Sequence, residues 1–465
     1  MTADAQIYRA SHMDAPVHSP VVIVGAGACG LTAALMLRHL GVDVVVLERD
    51  EYPSGSTALS SGFIPAASTR IQKSMGIQDS PELFAKDIQS KAKNKSDPEL
   101  TMAYAKAIGP ALDALEKNNG LVWAVLDQFL YPNHSVHRMH AVPEKTGDAL
   151  MTRLRAAADS ADVVVLTQAR VNQIWLDNSN RVLGVGYTTP DNETSMLSCD
   201  ALLLACNGFG GNTDLVQELL PEMAQALYAG HTGNDGSAIL WGRQMGAGLA
   251  DLGAYQGHGS WAIPHGVLVS WALMMEGAIQ VNKKGERFHD ETLGYSEAAV
   301  HVLTQPNAIA WNIFDDTLLA FAQDFPDFVQ AQQAGAMKSA SSIEELASII
   351  QCDANHLKKT LNGVKPGADA TTGRTFKRSL QGRLHAIKVT GALFHTQGGL
   401  AINAECRVLS QQGVAFPNLW AAGGAARGVS GQAVWGYLSG NGLLSAVAGG
   451  YISAHTISHQ LQYPK

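Results

Sequence analysis

VVIVGAGACGLTAALMLRHLGVDVVVLERD, residues Val21 to Asp50, decides the fold. Val21 to Val24 are four consecutive apolar β-formers, the pattern of a strand buried on both faces, and they run into Gly25, Gly27 and Gly30 in the spacing G-x-G-x-x-G. Small residues at those positions allow a tight turn and a close backbone approach to a pyrophosphate, whose charge meets free N–H groups and the positive end of a helix dipole. Leu31 to Leu40 supplies that helix, Gly41 ends it, and Val42 to Leu47 is a second buried strand ending in Glu48. A carboxylate there suits ribose hydroxyls and disfavours a 2′-phosphate. Strand, glycine triplet, helix, strand and terminal acid within one unit predict an α/β domain that binds a dinucleotide.

The chain around this unit has 465 residues, enough for a large core and at least two domains. With 46% apolar and 16% charged residues it has the composition of a densely folded globular protein. The net charge of −8 is spread along the chain, with no basic run longer than Lys283-Lys284, so there is no footprint for nucleic acid. Five cysteines, Cys29, Cys199, Cys206, Cys352 and Cys406, are odd in number and form no CxxC pair, which argues against a disulfide framework, a zinc site or an iron–sulfur cluster. A reduced, cytoplasmic setting is the expectation. The first residues carry no apolar run that would make a secretion signal. No stretch approaches the ~18 uninterrupted apolar residues that would span a bilayer, so membrane insertion is not expected.

After Glu48, Ser54 to Arg70 reads SGSTALSSGFIPAASTR, a small and hydroxylic run with no helical or strand period. Its place after the ribose-binding acid lets it lie along a dinucleotide, with Ser56, Thr57 and Ser61 as contacts. Ser80 to Asn118 is helical, with start signals at Pro81, Asp97 and Pro98 and a stop at Gly120. Leu121 to His140 holds Trp123, Phe129, Tyr131, His134, His137 and His140; Pro132 and Asn133 make it a loop, and without an acidic or thiol partner the histidines do not read as a metal site. Val163 to Thr167, Val171 to Leu176 and Val182 to Thr188 read as strands of a small sheet, and Ala201 to Ala205 as a buried strand leading into Cys206-Asn207-Gly208.

The glycine unit, STALSSG at Ser56 to Gly62 and CNGFGGN at Cys206 to Asn212 together resemble the flavoprotein superfamily of fumarate reductases, succinate dehydrogenases and 3-ketosteroid dehydrogenases. GAIQVNKKGERFHDE, Gly277 to Glu291, is similar to that family's G-x-x-x-V-N-x-x-G-x-R-F-x-x-E, and Phe416 to His455 is similar to its closing segment. The resemblance covers nearly the whole chain and implies a Rossmann-like FAD-binding domain of glutathione-reductase type with an inserted α+β capping domain. Residues 1–252 and 395–465 are then the FAD-binding domain and 253–394 the cap, which includes the helical run Ser342 to Asn362. The implied FAD contacts are Gly25, Gly27, Ala28, Gly30, Glu48, Arg49, Ser56, Thr57, Ser60, Ser61, Gly62, Val171, Ala205, Gly208, Asp235, Gly423, Gly424, Ser439 and Leu443. Asp235 is also explained as an N-cap. Members that attach FAD covalently use a histidine just before the hydroxylic segment; here Pro53-Ser54-Gly55 stands there, so noncovalent FAD is implied.

In such flavoproteins FAD takes a hydride at N5 while a protein group moves a proton on the neighbouring carbon. Fumarate reductases hold their dicarboxylate with arginines, whose guanidinium fork suits carboxylate. Both of those arginines are missing. The one four residues after the glutamate of R-F-x-x-E falls on Tyr295, the one in R-L-G-G-N falls on Tyr437, and a histidine of G-V-H-G falls on Ser430. A carboxylate buried without them would cost several kcal/mol, so a neutral substrate is inferred.

Tyrosines at these positions are what flavin-dependent ketosteroid and cyclic-ketone dehydrogenases use, and GYLSG looks most like the 4-ene-forming branch. Carried over, Tyr437 and the amide near Gly440 polarise a ketone oxygen, Ser439 assists, Tyr295 is the base and Tyr131 is a third partner. A free phenol titrates near ~10, so Tyr295 needs a relay or a lowered pKa. His258 resembles a substrate-binding histidine of the family and His395, before Thr396, lies near another, and each is equally explained as orienting a loop. The expected function is desaturation of a cyclic or steroid-like ketone, with electrons passed to an external acceptor. The alternatives are an enoate reductase of fumarate type and a flavin-binding electron carrier.

Overall fold

The computed structural model of the chain describes residues 5–463. It divides into two compact units, one of residues 5–220, 230–255 and 395–463, the other of residues 221–229 and 256–394.

In the first unit Val17–Val24 lies between two parallel neighbours, Val44–Leu47 and Thr194–Leu204, and Val21, Val22 and Ile23 are wholly buried. Each such side chain contributes roughly 1.5–3 kcal/mol on leaving water, which is why an unbroken apolar run forms a central strand. Ala415–Ala421 is also parallel to Thr194–Leu204, and Val164–Leu166 to Val44–Leu47. The registers Val24↔Leu47, Val24↔Leu204 and Leu204↔Ala421 bring four strand C-termini to one edge of this nine-stranded sheet. Everything that follows those ends in the chain, Gly25, Glu48, Ala205 and Ala422, therefore collects along one line, where open α/β sheets bind ligands.

The first helix is Ala28–His39, capped by Gly27 and followed by Gly41 at φ +75°. The strands between residues 163 and 188 do not form a small separate sheet. Arg170–Leu176 pairs with Gln6–Arg9 and with Val182–Thr188, which pairs with Thr194–Leu204, so all of them extend the main sheet. The hydroxylic run is more structured than its sequence predicts, with a helical turn Gly55–Ala58 and a strand Ile64–Pro65 against Met139–Ala141. Pro81–Lys91 and Pro98–Asn119 are the expected helices, and Asn441–Gln462 is the closing one.

The second unit is built on a seven-stranded sheet around Leu384–Thr396, which pairs antiparallel with Ala310–Asp315 and Met337–Ala340. Leu227–Tyr228 joins the same strand in parallel, which carries residues 221–229 into this unit, although the sequence reading assigned them to the FAD-binding domain; residues 253–255, read as cap, fall in the first unit. The expected run from Ser342 is two helices, Ile343–Ile350 and Ala354–Gly363. Under the strand Ile279–Val281 lies a buried ion cluster. Glu291 accepts from Arg287 Nη2 at 2.6 Å and from Arg374 Nη1 at 2.9 Å, and Arg287 Nη1 also reaches Asp369 at 2.8 Å.

Candidate active site

The dinucleotide edge is built from the glycine turn. A Cβ on Gly30 would lie 1.9 Å from the Gly25 oxygen, and one on Gly25 would lie 2.6 Å from the Ala205 oxygen, so only glycine lets the first helix start this close to the strand ends. Gly27 caps that helix without a side-chain hydrogen bond, and a Cβ there would meet only Thr57 Oγ1 within 4 Å, at 3.8 Å. The helix end therefore opens on room for a pyrophosphate, and the residues present fit a dinucleotide. Glu48, just past the C-terminal end of its strand, accepts from two backbone donors, Ala26 N at 2.8 Å and Asp50 N at 2.9 Å.

The hydroxylic run is tied to the same edge. Thr57 Oγ1 accepts from Ala28 N at 3.2 Å, and Ser56 Oγ from Asn207 Nδ2 at 3.0 Å and Asn234 Nδ2 at 2.9 Å. Ser60 Oγ accepts from Gly62 N at 3.0 Å, and Ser61 is exposed. Asp235 does not itself cap a helix. Gly236 is the cap of Ser237–Met245, and Asp235 serves it from one residue before, accepting from Ser237 N at 3.0 Å, while Arg170 and Arg49 approach its other oxygen at 3.3 and 3.5 Å. Gly208 and Gly424 flank Asn207, Val171 and Ala205 are buried, and Leu443 packs on the main core. Asn207, within the CNGFGGN run, and Asn234 are additions to the expected contacts.

Tyr437, Ser439 and Gly440 form the turn that leads into the closing helix. Asn441 N bonds back to Leu438 O at 3.0 Å, and Gly440, with φ +87° and ψ −4°, is the cap of that helix. Tyr437 is buried, and the ring of His395 stands edge-on to it at 5.6 Å. Burial lowers the His395 pKa to about 4, so its imidazole is neutral. A chain of hydrogen bonds, Asn441 Nδ2 to Ser430 Oγ at 2.9 Å and Ser430 Oγ to Gln397 Oε1 at 2.8 Å, runs beside it, and Gln397 Nε2 lies 3.2 Å from His395 Nδ1.

Tyr131 packs against Phe63 and Phe129 rather than standing alone, and its carbonyl accepts from His134 N at 3.1 Å. Of the three loop histidines, His134 and His140 are buried hydrogen-bonding groups, whereas His137 is half-buried. His140 Nε2 lies 2.8 Å from Thr69 Oγ1, and His134 Nε2 lies 3.0 Å from Ser439 O.

In the second unit Tyr295 is the first residue of the helix Tyr295–Leu303. Its ring stacks on His258 at 5.0 Å and 22°, and His258 is edged by Trp271 at 5.7 Å and Phe394 at 5.8 Å. Desolvation lowers the His258 pKa to about 3. Each proposed catalytic tyrosine thus sits against an imidazole that carries no charge. Among the described residues the buried arginines Arg138, Arg287 and Arg374 are all bound to carboxylates.

The model of the FAD binding domain family matches residues 20–443. A probable fumarate reductase of Shewanella frigidimarina is 27% identical over 449 residues, covering 93% of this chain and 74% of the relative. The 4-oxocyclohex-2-ene-1-carboxylate 5-dehydrogenase of Sinomonas cyclohexanicum is 22% identical over 561 residues, covering 94% and 93%. The crystal structure of 3-ketosteroid-Δ4-(5α)-dehydrogenase from Rhodococcus jostii superposes with a TM-score of 0.76 at 23% identity, over 96% of this chain and 98% of that one, and so shares the fold.

Proposed function

This chain belongs to the FAD binding domain family and is an oxidoreductase with FAD as its cofactor; from that premise we propose that it desaturates a cyclic or steroid-like ketone to the α,β-unsaturated ketone. Bound noncovalently, FAD supplies the acceptor for the hydride leaving the β-carbon. The chain's own part is to make the α-hydrogen acidic and to remove it. The Tyr437 hydroxyl and the Gly440 N–H donate to the ketone oxygen, where negative charge grows as the α-proton leaves, and Ser439 lies between them in the chain. Tyr295 is the proton acceptor, at the first turn of a helix, the end where negative charge is favoured.

The observation that carries this reading is that the imidazole in ring contact with each tyrosine is uncharged. His395 beside Tyr437 and His258 beside Tyr295 are neutral, and among the described residues the buried guanidinium groups are all paired with Asp or Glu. A dicarboxylate left with only these partners would lose its hydration without an ionic replacement. The fumarate reductase likeness supports a second reading, an enoate reductase, and the cyclohexene carboxylate dehydrogenase supports a ring ketone. We further infer a cytoplasmic setting from five free thiols, and an electron acceptor supplied by another molecule. No helix among the described residues is long and apolar enough to cross a membrane.

Anaerobic mixing with cyclohexanones, 3-ketosteroids, succinate and 4-oxocyclohexanecarboxylate, read at the flavin band, tests the proposal. Uncharged ketones should bleach the flavin, and Tyr437→Phe and Tyr295→Phe should each slow bleaching about 10²–10³-fold with FAD retained. Bleaching by succinate, or fumarate turnover by the reduced enzyme, with ketones inert would replace this reading with the enoate one.

A further inference from the structure

We propose that His134, held by Arg138, is a positioning residue that locks the Ser439–Gly440 peptide in one of two orientations and thereby aims the Gly440 N–H at the ketone oxygen. The inference rests on the reading above for what that N–H meets.

The lock is visible in the donor inventory. A carbonyl only accepts, so at 3.0 Å from Ser439 O the His134 Nε2 must carry the proton. A guanidinium only donates, so Nδ1, which faces Arg138 Nη1 at 3.5 Å, must be bare. Both neighbours therefore demand the same neutral tautomer. Burial and the Arg138 charge favour it as well, lowering the His134 pKa to about 4. Arg138 cannot drift. Its Nη1 donates to Asp87 at 2.5 Å, its Nη2 and Nε donate to Asp79 at 2.9 and 3.1 Å, and its plane lies over Phe84 at 4.6 Å. Asp87 in turn accepts from Ser135 N at 2.8 Å, which fixes the loop carrying His134.

What the lock controls follows from peptide geometry. Leu438 to Asn441 is a hydrogen-bonded turn, and φ +87°, ψ −4° at its third residue is the type II form. Type I and type II turns differ by a rotation of the central peptide, here Ser439–Gly440, and glycine at the third position lets the chain adopt either. In a trans peptide the C=O and N–H point in opposite directions. Pulling Ser439 O toward His134 therefore turns the Gly440 N–H away from His134. Releasing it lets the N–H swing to the wrong side.

His134→Leu, His134→Asn and His134→Gln separate this role from simple packing. The Gln side-chain amide reaches the place of Nε2 and keeps the donor, whereas the shorter Asn amide reaches only the place of Nδ1. In the holoenzyme, His134→Leu and His134→Asn should lower kcat for a ketone about 10-fold to 100-fold, with a smaller change in KM, and His134→Gln should recover most of it. The C=O stretch of a bound enone should move toward its free value in the Leu and Asn variants and stay shifted in the Gln variant. Crystal structures of the Asn and Gln variants read the peptide whatever the substrate is, so a failure of ketone chemistry leaves this test intact. A Ser439 carbonyl unmoved in the Asn variant, or a Gln variant no better than Asn in kcat and stretch, overturns the proposal.

Discussion

Acidification from pH 7 to pH 5 should destabilise the first unit before the second. Three of its histidines, His134, His140 and His395, are pushed down by burial to about 4, from an ordinary 6.5 that they regain when unfolded. Their folded pKa values are depressed, so the unfolded chain binds protons that the folded one refuses. The stabilisation is complete above pH 6.5 and is lost as pH falls toward 4. Between pH 7 and pH 5 each histidine costs about 2 kcal/mol, and the three together about 5–6 kcal/mol, a large share of the roughly 5–15 kcal/mol that holds a domain folded. Asp251, whose carboxyl is raised by burial, acts in the opposite sense. In the second unit His258 and His289 lose about 4 kcal/mol over the same range and His301 is lowered by burial as well, but Asp327, raised by burial to about 6, takes up its proton before the unfolded chain does and returns about 1 kcal/mol. The assay is urea unfolding of the holoenzyme at fixed excess FAD, with flavin release reporting the first unit and tryptophan fluorescence both. Flavin release should move to clearly lower urea at pH 5. An unchanged midpoint, or unfolding at pH 5 that takes up no protons, refutes the claim that these rings are held neutral.

Two further substitutions test the frame. Glu291→Gln leaves Arg374 buried without its carboxylate and Arg287 with only Asp369, which should cost about 3–5 kcal/mol and lower Tm sharply; a Tm within a degree or two of the parent would mean that the cluster relaxes. Gly30→Ala drives a methyl into the Gly25 oxygen, so purified protein should carry almost no flavin, read from the ratio of flavin to protein absorbance, and normal loading would contradict the close helix start.

The dinucleotide edge was legible because its determinants are contiguous. An apolar run, a glycine spacing, a helix and an acid act on their own neighbours, and parallel pairing brings the strand ends together wherever the strands lie in the chain. Which sheet a strand joins is not a local property. Val182–Thr188 reads as a strand from its own residues, but only its pairing with Thr194–Leu204 makes it part of the main sheet. The assignment of 221–229 fails for the same reason, since Leu227–Tyr228 is fixed by Leu393 and its neighbour, more than 160 residues away.

The turn from Tyr437 to Gly440 divides along the same line. Tyr437, Ser439 and Gly440 are adjacent in sequence and could be found as a run, and so could the loss of the two arginines. What gives those groups their chemistry comes from residues far off in the chain. His134 lies 305 positions before Ser439, and its value to the turn depends on having no charge, which is set by burial and by a guanidinium that two carboxylates hold still. A histidine-rich loop read by spacing alone invites comparison with metal sites, whereas the partners of its nitrogens assign the proton. If a glycine turn is to present one N–H out of two possible orientations, the glycine makes both available and something outside the turn must choose. Here the choice falls to an imidazole whose two neighbours, a carbonyl and a guanidinium, permit a single tautomer.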